Sequence, residues 1–184
     1  VCPTAAVTIK KDLKGVWQAL YAPNKRVVVQ IAPAVRVAIG EEFGIAPGKN
    51  TIGKIYTALR MLGFDTVFDT SFSADLTVIE EANELLYKLE NGEKKYPLGN
   101  SMPLFTSCCP AWVRFVETKY PELLPYVSTC KSPMEMFGAV LKEYYKPADE
   151  EAGLETVSVA VMPCVAKKYE AAREEFKRNE VPDV

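Results

Sequence analysis

Arg26-Val27-Val28-Val29-Gln30-Ile31-Ala32, stopped by Pro33-Ala34, is the stretch that decides the fold. Its apolar residues run on without alternating with polar ones, which describes a strand buried on both faces and not one with a wet side. Three further runs read the same way: Thr66 to Thr70 (TVFDT), Pro103 to Thr106 with its flanks, and Thr156 to Met162 (TVSVAVM). Helical periodicity fills the gaps between them. Val35, Val37, Ala38, Ile39 and Phe43 lead to Gly44 as a stop, and Asn50 caps a helix carrying Ile52, Ile55, Tyr56, Leu59 and Leu62, closed by Gly63. Ser73 or Asp75 starts a long helix through Leu76, Ile79, Ala82, Leu86 and Leu89 to Gly92, and Pro133 is placed as the first-turn proline of a helix over Met134 to Tyr145.

Strands alternating with helices predict an α/β architecture with a mostly parallel, roughly four-stranded sheet flanked by helices. An α+β arrangement is the competing reading. The segments Asn91 to Asn100 and Lys146 to Glu155 are polar and read as surface connections. The chain has 184 residues, 48% hydrophobic and 25% charged, with a net charge of −2. That suits one globular domain and gives no reason to expect nucleic acid or an anionic membrane as a partner. No apolar run approaches the ~20 residues of a membrane span, and no basic-then-apolar leader is visible.

The chemistry lies in sulfur. There are five cysteines and no histidine, which removes imidazole metal sites, Ser-His-Asp triads and Cys-His nucleophiles together. An odd cysteine count is a poor disulfide framework, whereas soft thiolates suit iron–sulfur clusters or zinc. The alternative is a set of inert buried thiols. Ligands in open parallel sheets bind beyond the carboxyl ends of the strands. Here those ends carry Pro33-Ala34, Ser71-Phe72, Cys108-Cys109 and Cys164. Adjacent residues leaving a strand point different ways, so Cys108 and Cys109 are expected to do different jobs.

Thr106-Ser107-Cys108-Cys109-Pro110-Ala111-Trp112 and Met162-Pro163-Cys164-Val165-Ala166-Lys167-Lys168 resemble the first two signature segments of the catalytic domain of iron-only (FeFe) hydrogenases. Gln30 to Arg36, Asp75 to Ala82 and Lys131-Ser132-Pro133 fit the same family, in the same order, over about residues 26–178. Val1-Cys2-Pro3-Thr4 is similar to the end of a bacterial ferredoxin motif, whose last cysteine precedes a proline. The resemblance implies residues 1–10 as the tail of a ferredoxin-like 4Fe-4S domain, with Cys2 as a cluster ligand. Residues 11–184 are then the N-terminal lobe of the hydrogenase catalytic domain.

The resemblance also implies the cofactor and its ligands. The cofactor is an H-cluster, a 4Fe-4S cubane plus a two-iron subsite with CO, CN and a dithiolate bridge; further 4Fe-4S clusters belong to the upstream domain. Cys109 and Cys164 are its implied thiolate ligands. Cys108 would carry protons, since a thiol with an ordinary pKa of ~8.5 exchanges them near neutrality and a serine hydroxyl does not. Lys167 would donate to one cyanide and the backbone of Ala32, Pro33 and Ala34 to the other. Met162 would pack on the two-iron subsite and Ser132 would stand near the dithiolate.

Glu81, Glu84 and Lys88 fall on one helical stripe, for which the plain reading is a solvated face with a Glu84–Lys88 pair. The resemblance makes the stripe a proton relay instead, running Cys108, Glu81, Ser128, Glu84, solvent. Cys130 reads as either a passive small hydrophobe or a second sulfur near the site, and the passive role is the expectation. The family's third signature, glycine-rich with two cysteines, is not seen after Asp183-Val184. The expectation is therefore one piece of a longer protein, inactive alone, completed by the C-terminal part of the catalytic domain.

The expected activity is reversible hydrogen oxidation and proton reduction in the cytoplasm of an anaerobic bacterium. Ferredoxin or NAD-linked redox subunits would be partners, with maturation proteins delivering the two-iron subsite. A hydrogenase-like iron–sulfur assembly protein and a hydrogen sensor are the alternatives.

Overall fold

The computed structural model describes residues 3–4, 6, 8–91, 102–178 and 181–184. In chain order the elements are α1 (Leu13–Leu20), β1 (Lys25–Ile31), α2 (Val35–Ala38), α3 (Ile52–Met61), β2 (Thr66–Asp69), α4 (Ser71–Asn91), α5 (Pro110–Lys119), α6 (Pro133–Tyr144), α7 (Lys146–Glu151), β3 (Glu155–Val161), α8 (Ala166–Ala171), β4 (Lys177–Arg178) and β5 (Val181–Pro182). The first three strands form a parallel sheet in the order β2-β1-β3, so the first strand met in the chain is the central one.

The unbroken apolar run of β1 is explained by what covers it. Val27, Val29 and Ile31 point to one side, where Ala19, Ile55, Phe64 and Val67 are buried with them. Val28 points to the other, against Phe137 and Leu141 of α6 and Phe68. Burying each such side chain is worth about 1.5–3 kcal/mol. Gln30 is the one polar residue between Val27 and Ala32 and is fully buried. Its Nε2 donates to the Met134 carbonyl at 3.0 Å and its Oε1 accepts from Thr70 Oγ1 at 3.0 Å, so neither end is left unpaired.

Helix punctuation follows the sequence closely. Gly44 ends a 3₁₀ turn over Ile39–Phe43 with φ of 70°, and Gly63 follows α3 with φ of 102°. The N-cap of α3 is Thr51, one residue later than expected, while Asn50 Oδ1 accepts from the Ile52 amide at 3.0 Å; Ser132 is the N-cap of α6 with Pro133 behind it.

Three expectations are corrected. Residues 103–106 do not add a fourth strand. Pro103 has no N–H to offer, and Phe105 donates to Tyr126 O and accepts from the Ser128 amide, both at 2.7 Å. That leaves a single parallel bridge, Phe105 to Val127, away from the sheet. The segment Lys146 to Glu155 is largely exposed, as a surface connection would be, but its first part is helical: it forms α7, whose buried Asp149 pairs with Arg26 and Thr156. The long helix α4 turns its apolar residues outward, with Ile79, Leu86 and Leu89 exposed, and buries Ser73, Thr77, Glu84 and Lys88. The plain reading of Glu84 and Lys88 as a solvated pair fails with it. The hydroxyls tolerate burial because Ser73 Oγ donates to Thr70 O and Thr77 Oγ1 to Ser73 O, both at 2.9 Å.

Candidate active site

Parallel pairing fixes which strand ends meet. Ile31 is in register with Val161, and the Ala32 amide donates to Val161 O at 3.1 Å. Ala32-Pro33-Ala34 and Met162-Pro163-Cys164 therefore leave adjacent strands at the same end of the sheet. Thr70 follows on the other side, its amide donating to Ile31 O at 3.0 Å. Ala32 is buried, Met162 half-buried, and Pro33, Ala34 and Cys164 are exposed along this rim.

Lys167 fastens the second cysteine segment to the first. Its amide donates to the Cys164 carbonyl at 3.2 Å, and its Nζ donates to the Cys108 carbonyl at 2.9 Å and pairs with Glu170 Oε2 at 2.7 Å. Cys108 and Cys109 are exposed and unbridged, like Cys164. Cys109 is the N-cap of α5 in an extended conformation, with Pro110 starting the helix. A thiolate there meets the free N–H groups and positive end of a ten-residue helix.

From the other side the loop is held by the 128–132 segment. Ser107 Oγ donates to the Cys130 carbonyl at 2.7 Å. Ser128 Oγ donates to Glu84 Oε2 at 2.6 Å and accepts the Cys130 amide at 3.1 Å. Glu84 also accepts the Thr129 amide at 3.3 Å and pairs with Lys88 Nζ at 3.3 Å. Both side chains of that pair are buried, 3% and 2% exposed.

Glu81 completes the group. Burial raises its carboxyl above the ordinary glutamate range and the Glu84 charge adds to this, opposed by hydrogen bonds with the Ser107 backbone and the Ser128 hydroxyl. Its Oε1 is buried with no hydrogen-bond partner. The Ser128 hydroxyl, which donates to Glu84 Oε2, also lies within hydrogen-bond reach of the Glu81 carboxyl.

Glu81, Glu84, Ser128, Cys108 and Lys167 are thus joined by short links, and Ser132 stands two residues beyond Ser107's partner, Cys130. Cys2 lies outside the described residues. Cys130 does more than pack: its Sγ lies 3.8 Å from Glu84 Oε2, and burial first, then the Glu84 and Glu81 charges, raise its thiol. Sequence reasoning missed Lys167's partner Glu170, which is buried on α8 and has no motif to announce it. The donor set fits an iron–sulfur group: exposed thiols, one of them on a helix N-terminus, and no imidazole.

A family model described as iron only hydrogenase large subunit, C-terminal domain, matches residues 25–184. The chain belongs to that family. It is 50% identical to the NADP-reducing hydrogenase subunit HndD of Solidesulfovibrio fructosivorans, over 100% of this chain and 31% of that protein. The solved structure that revealed stepwise FeFe-hydrogenase H-cluster assembly superposes with a TM-score of 0.83 at 43% identity, over 95% of this chain and 43% of that one. A more distant relative is Protein NAR1 of Arabidopsis thaliana, 36% identical over 95% of this chain and 38% of that protein. The chain spans about a third of the length of the curated relatives it matches. Among the described residues of this hydrogenase-family chain, no helix is long and apolar enough to cross a membrane.

Proposed function

We propose that this chain is the part of an FeFe-hydrogenase that carries half of the cluster ligands and the proton line of the active site. Cys109 and Cys164 would hold the cubane of the H-cluster, supplying two of the four thiolates such a cluster takes. Ala32, Pro33, Ala34, Ser132, Met162 and Lys167 would surround the two-iron subsite. When bound, the H-cluster supplies the iron at which protons and electrons are interconverted with hydrogen.

The chain's own residues handle the proton. Cys108 holds one on Sγ at the rim. Glu81, in contact with the backbone of Ser107 beside it, receives that proton on the carboxyl whose burial favours the neutral form. Glu81 hands it to Ser128 Oγ as Ser128 releases its own to Glu84 Oε2. Lys88 balances the charge on Glu84 between transfers. General acid–base groups must lie within hydrogen-bond reach or one water of each other, and the Ser128–Glu84 link satisfies this. Lys167 keeps the Cys108 loop seated and presents an ammonium to the site.

The observation that carries this reading is the line from half-buried Glu81 to buried Ser128 and Glu84, which begins at the residue before Cys108. An iron–sulfur assembly protein, the reading that the NAR1 relative favours, has no use for a buried proton route. The ferredoxin-like tail at residues 1–10 with Cys2 as ligand, further 4Fe-4S clusters, a ferredoxin or NAD-linked redox partner, maturation proteins and a cytoplasmic location belong to the same proposal. The test is hydrogen evolution by the complete protein, purified without oxygen and supplied with a reduced viologen dye. Turnover is expected. A protein with a full iron load and no hydrogen output would favour the assembly reading.

A further inference from the structure

The interior behind Lys167 holds a second set of charges that the proton line leaves unused. Glu135, in the first turn of α6, is 0% exposed. Both of its carboxyl oxygens lack a hydrogen-bond partner among the described residues. Ser132 and Glu135 have the spacing of a capping box, but only half of one forms: Ser132 Oγ accepts the Glu135 amide at 3.4 Å while the Glu135 side chain makes no return bond.

The charges acting on Glu135 are Glu170 and Lys167 on α8, Asp183 just after β5, and Lys131 in the loop before α6. Each nearby lysine is committed to another acid. Lys131 Nζ lies 2.6 Å from Asp183 Oδ2, Lys142 Nζ 2.9 Å from Asp183 Oδ1, and Lys167 Nζ 2.7 Å from Glu170 Oε2. Asp183 takes two of the three lysines and Glu135 takes none.

A carboxylate buried without a partner is too costly to persist; the group takes up a proton instead. Burial, then the Glu170 and Asp183 charges, push Glu135 up to about 7, against Lys131 and Lys167. Two neighbours of Glu135, Glu170 and its capping Ser132, line a cavity of about 200 Å³ that also touches Ser128 and Cys130.

We propose that Glu135 is a proton-holding residue that positions Lys167. While Glu135 is neutral, Lys167 is shared by Glu170 and the Cys108 carbonyl alone. When Glu135 releases its proton toward Glu170 and the cavity, a second buried negative charge competes for the same ammonium and loosens its hold on the Cys108 loop. The coupling is reciprocal: whatever Glu135 does to Lys167, Lys167 does to Glu135. This rests on the assignment of Lys167 and Cys108 to the active site, but its test does not use hydrogen turnover, so the two can fail separately.

The test is infrared difference spectroscopy across pH on the complete protein without its cluster, comparing wild type with Glu135→Gln, Lys167→Met and Glu170→Gln. A deuterium-sensitive band of a buried neutral carboxyl is expected in the wild type, fading with a midpoint near pH 7 and missing in Glu135→Gln. Lys167→Met, which removes a favourable cation, is expected to move the midpoint up; Glu170→Gln, which removes a repelling anion, is expected to move it down. A purely structural Glu135 would give no such opposite shifts. The proposal is overturned if the band survives in Glu135→Gln, or if the midpoint stays put in both the lysine and the Glu170 variants. Should Glu135→Gln fail to fold, those two shifts decide alone.

Discussion

Lys167 Nζ donates to the Cys108 carbonyl oxygen at 2.9 Å, joining two cysteine segments 59 residues apart in sequence. Other ties on the Cys108-Cys109 loop come from the side of Ser107, which donates to Cys130 O, and of α5, where the Val113 amide donates to Cys109 O. With the Lys167 bond, the thiols leaving the 103–109 segment and β3 are held at one rim.

That arrangement predicts different outcomes for the two thiols proposed to bind iron and for their neighbours. Cys109→Ser and Cys164→Ser are each expected to abolish the cubane's iron, read as loss of its visible absorbance and of bound iron in the complete protein. Cys130→Ser, whose sulfur faces Glu84 and not the rim, is expected to keep the iron.

Glu84 and Lys88 form a buried pair, and removing one member leaves a stranded charge. Lys88→Met is expected to lower stability by about 3 kcal/mol or more, measured as a fall in the denaturant midpoint. The double variant Lys88→Met with Glu84→Leu should recover much of the loss. A solvated pair would give a change of only a few tenths of a kcal/mol.

Near the C-terminal end, Asp183 crosses α6 at Gly138. A Cβ on Gly138 would stand 2.5 Å from the Asp183 carbonyl oxygen, a backbone atom that has no free rotation to escape. Gly138→Ala is therefore expected to displace the Asp183 segment and cost about 1–3 kcal/mol by overpacking. Thermal unfolding would show it, and Gly53→Ala, where nothing lies within 4 Å, serves as the silent control.

Asp183 also sets a pH dependence. Burial alone would raise its carboxyl, but Lys131 and Lys142 hold it below its ordinary value of 3.8. Its contribution to stability is thus complete above 3.8 and lost as pH falls through the lower folded-state value. Asp183→Asn is expected to flatten the acid limb of a stability-against-pH curve and to leave its neutral part displaced downward by about 2 kcal/mol.

The sheet was legible because β1 is covered on both faces, and two-sided burial prints an unbroken apolar run. The rim was legible because strand ends and helix starts carry their own punctuation, as at Pro33, Cys109-Pro110 and Ser132-Pro133. The face of α4 was not. Its buried stripe is Ser73, Thr77, Glu84 and Lys88, and an apolar count assigns such residues to solvent; only their hydrogen bonds and the Glu84–Lys88 pairing make burial tolerable. The missing fourth strand depends on Tyr126 and Ser128 capturing the Phe105 backbone, a contact no local pattern announces. Glu135 hid for a similar reason, since an acid three residues after a capping serine reads as part of an ordinary helix start.

The central claim is that neighbouring thiols divide the work, Cys109 gripping iron while Cys108 moves protons into the Glu81–Ser128–Glu84 line. Hydrogen turnover and iron content measured together on Cys108→Ser of the complete protein test it most directly. The account predicts a full iron load with turnover reduced by about 10²–10⁴-fold. Turnover equal to wild type, or loss of the iron along with the activity, would contradict it.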